Sequence, residues 1–270
     1  MEYLNVIILG IVQGLTEFLP VSSSGHLILA PLLLDFADQG LALDAILHLG
    51  TLLAMIIYFR KDLSELAISL VEKKPDPMTK RLAWSILLAS IPAGTIGLFA
   101  GSTIEEHLRN PTFVAMNLLV WSLVFYIADR FAKSKATEQR TIKSMELGQV
   151  MMIGFAQALA LLPGTSRSGI TIAAGLFTNL SSTSAARFSF LLGTPIILAA
   201  GIYELAKVFT AGDESILYSP GQLGVGLLVS FLMGLLAIKV LLAVVARVGL
   251  TPFIIYRVAL AFFLLLTYSL

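Results

Sequence analysis

Residues 13–26 of the chain, Gln-Gly-Leu-Thr-Glu-Phe-Leu-Pro-Val-Ser-Ser-Ser-Gly-His, decide how the rest of the sequence is interpreted. They place a carboxylate, three consecutive serines and a histidine between two apolar runs, Val6–Val12 and Leu27–Leu34. A charged side chain at the centre of a bilayer costs about 2.5–3.5 kcal/mol on insertion scales. The stretch therefore indicates a polar site enclosed by other parts of the protein.

The composition is that of an integral membrane protein. Of 270 residues, 57% are hydrophobic and 13% are charged, whereas soluble domains carry about 25% charged residues. The net charge of +1 gives no reason to expect nucleic acid as a partner. Cysteine is absent, which excludes a thiol nucleophile and a disulfide. No Lys or Arg precedes Arg60, so a signal peptide is not indicated and we expect the N-terminus to be part of the fold.

Two short helices are predicted around the polar stretch. Pro20 ends a helix over residues 2–18. Ser24 is the predicted cap of a second helix, Gly25–Leu34, which Asp35 and Asp38 terminate. Neither helix reaches the roughly 20 residues needed to span a bilayer. This predicts a re-entrant hairpin, whose irregular backbone must be surrounded by protein or by a water-filled cavity.

The rest of the chain predicts six spans and a second hairpin. Polar loops are expected at 60–81 and 132–146, and the second hairpin at 147–162 plus 168–178. The predicted spans are 41–59, 82–100, 113–131, 184–208, 221–246 and 252–269.

The second hairpin repeats the first, which indicates an internal duplication of residues 1–131 and 147–270. The matching pairs are Gly10-x-x-Gln13 with Gly154-x-x-Gln157, Pro20 with Pro163, Ser22-Ser23-Ser24 with Thr165-Ser166-Arg167, Gly25 with Gly169, and Leu49-Gly50-Thr51 with Leu192-Gly193-Thr194.

Three spans separate the hairpins, so the second copy would be inverted relative to the first. Most Lys and Arg residues then fall in loops 60–81, 132–146 and 247–252, which the positive-inside rule assigns to the cytoplasm. The opposite loops carry Glu105, Glu106, Asp213 and Glu214, with Arg109. The predicted fold is one all-α integral membrane domain, with six transmembrane helices and two re-entrant helical hairpins in an inverted-topology repeat.

The polar residues of the two hairpins suit a phosphate group. Gln13 and Glu17 share a helix face because they are four residues apart. Arg167 is the counterpart in the second copy and needs an anionic partner. Hydroxyls, helix N-termini and an arginine bind phosphate well. The candidate phosphate ligands are Ser22, Ser24, Gly25, Thr165, Ser166 and Ser168, with Glu17, His26 and Arg167 as the catalytic candidates.

Simpler interpretations remain open for several of these residues. Glu17 could anchor its loop, although Leu161 stands at the equivalent position of the second copy. A salt bridge between Glu17 and Arg167 could be purely structural. A carboxylate in a donor-rich phosphate site also suggests a divalent cation, Mg²⁺ or Ca²⁺, with Glu17 and Gln13 as its ligands. His48 and His107 have no company in the sequence like that of His26 beside Glu17 and the serines, and they are interpreted as structural or surface residues.

The segments Gln13–His26 and Pro163-Gly-Thr-Ser-Arg-Ser-Gly169 resemble the two signature regions of the undecaprenyl-diphosphatase, or bacitracin-resistance, family. The resemblance covers essentially the whole chain. It implies hydrolysis of undecaprenyl diphosphate to undecaprenyl phosphate and phosphate, which recycles the lipid carrier of bacterial cell-wall synthesis. It also implies divalent-cation dependence, an inner-membrane location and a site that faces the periplasm.

The family's serine, histidine and arginine positions match Ser23, His26 and Arg167. Its first motif has Glu or Gln followed by Glu four residues later, and Gln13 and Glu17 fill these places. Three routes stay open at this point: His26 activates Ser23, His26 attacks directly, or water attacks. The expected partners are a polyprenyl diphosphate and membrane lipids, with a homodimer left open. The alternative function is a secondary transporter or lipid flippase, which an inverted repeat would also suit.

Overall fold

The computed structural model describes residues 3–36, 38–135, 140–211 and 217–268, and the side chains within them except those of Leu41, Glu105, Phe209 and Ala211. Across this part of the chain the secondary structure is helical, without a strand. The α-helices are α1 Tyr3–Thr16, α2 Ser23–Leu34, α3 Gly40–Tyr58, α4 Arg60–Val71, α5 Pro77–Leu108, α6 Pro111–Ser134, α7 Leu147–Ala158, α8 Arg167–Phe177, α9 Ser182–Ala211, α10 Pro220–Val248 and α11 Thr251–Tyr268.

Five of these helices, α5, α6, α9, α10 and α11, are long and apolar enough to cross a membrane. The helices α3 and α4, which meet at a bend of 81°, make a sixth if the pair is counted as one span. This confirms an all-helical membrane fold with up to six spans. The polar loop predicted over 60–81 is wrong, because residues 60–71 form the amphipathic helix α4.

The helices predicted to form the hairpins are short. α1 has 14 residues, α2 and α7 have 12 each, and α8 has 11. At 1.5 Å per residue they are about 16–21 Å long, which is less than the roughly 30 Å of a hydrocarbon core. We call residues 17–22, between α1 and α2, the first tip loop. Residues 159–166, between α7 and α8, form the second tip loop.

Three long helices begin with the same local device, an N-cap followed by proline. Asp76, Asn110 and Ser219 each accept a hydrogen bond from a backbone N–H of the first turn. Proline at the next position needs no donor there and its φ angle already suits a helix. The sequence therefore sets these helix starts locally.

Close helix packing relates the two halves of the chain. Gly10 and Gly14 bring α1 against α10, where a Cβ at Gly14 would lie 2.6 Å from the Cβ of Met233. Gly154, the sequence match of Gly10, brings α7 against α5, where a Cβ would lie 2.8 Å from the Cα of Ala89. The exchange of partners between the copies supports the predicted duplication. Its inverted orientation stays a prediction, and Asp213 and Glu214, on which it partly rests, lie outside the described residues.

Asp129 fixes the start of α11, which contributes to the site. This buried carboxylate of α6 accepts a hydrogen bond from the backbone N–H of Leu250 at 3.0 Å and from Lys133 at 2.6 Å. Gly249 has a φ of +75°, and a Cβ there would overlap the Asp129 carboxylate. The turn between α10 and α11 is thus held against α6.

Candidate active site

Both tip loops end in the same helix cap. Ser22 and Ser166 have φ angles of 78° and 75°, which are rare for residues other than glycine. The Ser22 hydroxyl accepts a hydrogen bond from the Gly25 N–H at 3.3 Å, and the Ser166 hydroxyl accepts one from the Gly169 N–H at 3.2 Å. The predicted cap, Ser24, is therefore wrong. The geometry also matches Ser22 with Ser166, one residue away from the pairing predicted from the sequence.

This register gives Ser23 and Arg167 the same backbone position. Ser23 is the first residue of α2, and Arg167 is the first residue of α8. Each helix N-terminus carries a partial positive charge. Ser23 and Arg167 thus have the same backbone surroundings and differ only in their side chains. One copy contributes a hydroxyl and the other contributes a guanidinium.

Glu17 lies between these two helix starts and is 7% exposed. Its Oε2 accepts hydrogen bonds from the Ser23 hydroxyl at 2.8 Å and from Gln13 Nε2 at 3.1 Å. Its Oε1 accepts one from Arg167 at 3.2 Å. The predicted ion pair between Glu17 and Arg167 is therefore confirmed. The hydrogen bond from Ser23 joins the two ends of the first tip loop, which agrees with the loop-anchoring interpretation of Glu17 as well.

Arg167 depends on space that a glycine leaves free. Its guanidinium donates to the Ser189 carbonyl at 3.4 Å, and its Nε has no hydrogen-bond partner among the described residues. A Cβ at Gly193 would overlap the guanidinium. Gly193 was identified from the sequence only as part of the repeat, and the structure gives it a role in placing Arg167.

The hydrogen bonds of the His26 ring go to residues other than Ser23. Its Nδ1 is 2.7 Å from the Ser22 carbonyl, and its Nε2 is 2.7 Å from the Tyr256 hydroxyl. A carbonyl oxygen only accepts, so Nδ1 carries a proton, and in the neutral ring Nε2 accepts from Tyr256. The two rings are stacked at 5.7 Å between centroids. Both nitrogens are thus engaged, and in this arrangement Glu17 is the group next to the Ser23 hydroxyl.

The other predicted phosphate ligands divide into two groups. Ser22, Thr165, Ser166 and Ser168 are buried and hold the tip loops together. For example, Thr165 accepts from Asn117 at 2.8 Å, and Ser168 donates to the Leu19 carbonyl of the first tip loop at 3.2 Å. Gly25 is buried beneath its cap. Ser24 is exposed and lines a cavity, so its hydroxyl is available to a ligand.

That cavity has a volume of about 500 Å³ and lies between α2, α3, α5 and α9. His48 forms part of its wall, and its Nε2 is 3.9 Å from Glu17 Oε2. His48 Nδ1 donates to the Asp44 carbonyl at 2.8 Å. His48 therefore lies beside the carboxylate, which the sequence did not predict, and its interpretation as a structural residue stays a prediction. Among the described residues, His107 is bonded to the Thr103 carbonyl in its own exposed turn, in agreement with a surface position.

Arg257 and Tyr256 were not identified from the sequence. An arginine within a predicted span, 252–269, is itself a signal of a buried polar site. Tyr256 offered no such signal, because its contact with His26 joins residues 230 positions apart.

The described residues offer few ligands for a metal ion. No group of three or more His, Cys, Asp or Glu among them is arranged to hold one. Glu17 already accepts three hydrogen bonds, and a carboxylate has about four acceptor positions. Gln13 Oε1 is buried without a hydrogen-bond partner. Glu17 and Gln13 can thus offer a cation a small number of oxygen atoms, and further ligands would have to come from a bound anion or water.

Replacing Gln157 by methionine is expected to raise the melting temperature. Gln157 is the repeat counterpart of Gln13, but both its side-chain oxygen and nitrogen are buried without a partner among the described residues. An unsatisfied buried polar group costs about 1–3 kcal/mol, and methionine has a similar shape without that cost. Thermal unfolding in detergent measures the change. Gln13→Met is the matched variant, and it should lower activity. A fall in the melting temperature of Gln157→Met would contradict the prediction.

The fold and site together define a helical membrane protein with an ionic, hydroxyl-bearing centre between two broken helix pairs. The chain belongs to the bacitracin resistance protein BacA family, whose model matches residues 6–263.

Named relatives match this chain over nearly its full length and theirs. An undecaprenyl-diphosphatase of Colwellia psychrerythraea is 44% identical over 267 residues, covering 96% of this chain and 97% of its own. One of Teredinibacter turnerae is 42% identical, covering 96% and 97%, and one of Campylobacter curvus is 40% identical, covering 98% of each.

Proposed function

We propose that this protein hydrolyses undecaprenyl diphosphate to undecaprenyl phosphate and inorganic phosphate. The observation that carries the proposal is the contact of Glu17 with both Ser23 and Arg167 at the meeting of two helix N-termini. A hydroxyl, an arginine and two helix N-termini at one place suit a phosphoryl group. A purely structural ion pair would need only Glu17 and Arg167. The names of the relatives support the same substrate. They lend no support to a transporter or flippase.

In this proposal Ser23 is the nucleophile and Glu17 is the base. The 2.8 Å hydrogen bond from the Ser23 hydroxyl to Glu17 supports the assignment. Glu17 takes the hydroxyl proton as Ser23 Oγ forms a bond to the terminal phosphorus. The bond from that phosphorus to the bridging oxygen breaks, and the electron pair leaves with undecaprenyl phosphate. Water then attacks the phosphorus of the phosphoserine, and the bond from phosphorus to Ser23 Oγ breaks. Ser23 regains its proton from Glu17, and both protons of the water leave with the inorganic phosphate as H₂PO₄⁻.

Arg167 stabilises negative charge on the phosphoryl group during both steps. Its Nε has no partner among the described residues and its other nitrogens contact Glu17 and Ser189, so a donor remains for a phosphate oxygen. His26 has a supporting part, since its contacts fix the Ser22 carbonyl beside the cap of α2.

We also propose that Mg²⁺ or Ca²⁺ takes part, held by Glu17, Gln13 Oε1 and the diphosphate of the substrate. The unpartnered Gln13 oxygen supports this site. A bound divalent cation would neutralise charge on the phosphate oxygens. Because Glu17 and Gln13 supply few ligands, we expect the cation to bind together with the substrate, as Mg²⁺ commonly does at phosphate sites.

The cavity beside the site supports an opening toward the periplasm of the bacterial inner membrane. It extends to Arg109 and Lys207, near the C-terminal ends of α5 and α9, where the positive-inside rule expects the outer surface. Small residues of α5 and α9 line its apolar wall, and we propose that this wall receives the isoprenoid tail. The residues are Gly94, Gly97, Gly101, Ala199 and Ala200. A homodimer is a separate proposal, which light scattering in detergent tests.

Purified protein in detergent is expected to release inorganic phosphate from undecaprenyl diphosphate. Excess chelator should stop the release, and Mg²⁺ or Ca²⁺ should restore it. The control is the same protein with undecaprenyl phosphate, which should release nothing because it lacks the anhydride bond. Absence of release with every divalent metal would refute the enzymatic proposal. Undiminished release in chelator would refute the cation.

A further inference from the structure

Arg257 is a fully buried guanidinium in the middle of α11, with an exposed fraction of 0%. Among the described residues no carboxylate lies within ion-pair distance of it. The face of the Phe125 ring lies 4.8 Å from its central carbon. A buried charge without a counter-charge is costly unless it is hydrogen-bonded. The hydrogen bonds of this arginine therefore decide what it does.

Its hydrogen bonds join the two tip loops. The guanidinium donates to the Pro20 carbonyl of the first tip loop at 3.5 Å and to the Gly164 carbonyl of the second at 3.0 Å. Two further bonds reach α6, at the Leu118 carbonyl, 3.3 Å, and the Ser122 hydroxyl, 3.2 Å. The planar guanidinium has five donors, so it can bind several carbonyls in different directions at once.

The two carbonyls lie close in sequence to the reactive groups. Pro20 is three residues after Glu17 and three before Ser23, and Gly164 is three residues before Arg167. Gly164 has a φ of +92°, and a Cβ there would lie 2.9 Å from the Val114 carbonyl. The second tip loop is therefore pressed against α6 in one backbone conformation, with its carbonyl directed to Arg257.

We propose that Arg257 is a positioning residue that holds the two tip loops together and so sets the distances among Glu17, Ser23 and Arg167. This inference rests on the proposed function, since it gives Arg257 its purpose in phosphoryl transfer. Arg257 itself touches none of the reacting groups. Its effect on catalysis passes through the backbone of both loops, and a displacement of about 1 Å can lower a rate about 100-fold.

The first test compares Arg257→Met and Arg257→Lys with Asp129→Asn. Asp129 anchors the same helix without contacting either tip loop, so it reports loss of stability alone. We expect Arg257→Met to lower kcat about 100-fold with a smaller change in KM, and Arg257→Lys to recover part of the loss. In protein that already carries Arg167→Lys, adding Arg257→Met should lower kcat far less, because the alignment of Arg167 with Glu17 and Ser23 is already impaired. Equal losses of kcat for Arg257→Met and Asp129→Asn at matched melting temperatures would overturn the proposal.

The second test needs no activity. The chain has no cysteine, so Ser24→Cys and Leu159→Cys can carry two spin labels beside the two tip loops. We expect their distance distribution to lengthen or broaden with Arg257→Met and to stay unchanged with Asp129→Asn. An unchanged distribution with Arg257→Met would overturn the positioning role. If unmodified protein releases no phosphate, the proposed function fails, and the label distances still decide whether Arg257 joins the loops.

Discussion

Replacing Glu17 by leucine is expected to abolish phosphate release and also to destabilise the protein. The change removes the base next to Ser23 and leaves Arg167, which is 12% exposed in its side chain, without its ion-pair partner. Loss of a general base lowers a rate about 10²–10⁴-fold. Breaking a buried ion pair by removing one partner costs about 3–5 kcal/mol. Leucine is the residue at the equivalent position 161, so the loop itself tolerates it.

A double variant separates the two effects. Glu17→Leu with Arg167→Met removes both charges, so stability should return toward that of the unmodified protein while activity stays absent. Thermal unfolding and phosphate release measure the two quantities on the same samples. Glu65→Gln is the matched control, since Glu65 forms an ion pair with Lys143 at the surface and contacts neither Glu17 nor Arg167. Recovery of activity in the double variant would show that the pair is structural only.

Replacing Ser23 by alanine is expected to lower kcat by on the order of 10⁴-fold or more, as for other enzyme nucleophiles. Stability should change little, because Ser23 is half-buried and Ser22, its neighbour, provides the cap. Ser24→Ala is the matched control and should affect KM more than kcat, since Ser24 lines the cavity without contacting Glu17.

A covalent intermediate distinguishes Ser23 from water as the nucleophile. Acid quenching during turnover of substrate labelled in the terminal phosphate should yield phosphoserine in the peptide that contains residue 23. Activity of Ser23→Ala near that of the unmodified protein would exclude the serine and favour attack by water. The label should appear on no histidine, because both nitrogens of His26 are already bonded.

The sequence predicted the architecture well because its signals are local. Apolar run lengths predicted the spans, and proline between short runs predicted the broken helices. The prediction failed at residues 60–71, where apolar residues recur every three or four positions and form an amphipathic helix that a count of charges does not distinguish from a loop. It also failed by two residues at the helix cap, Ser22 instead of Ser24, because three consecutive serines satisfy the same capping rule.

What the sequence determined by itself was a set of candidate groups, drawn from both halves of the chain. The ion pair of Glu17 with Arg167 was predicted from the repeat, in which the two loops were expected to meet, and the structure contains it. Only the tertiary structure decided which groups meet: Ser23 contacts Glu17, His26 contacts Tyr256, and His48 lies beside the carboxylate. Arg257, far along the chain, joins both loops. These contacts depend on how each helix is rotated and how deeply it packs, which residue type and spacing along one chain do not fix.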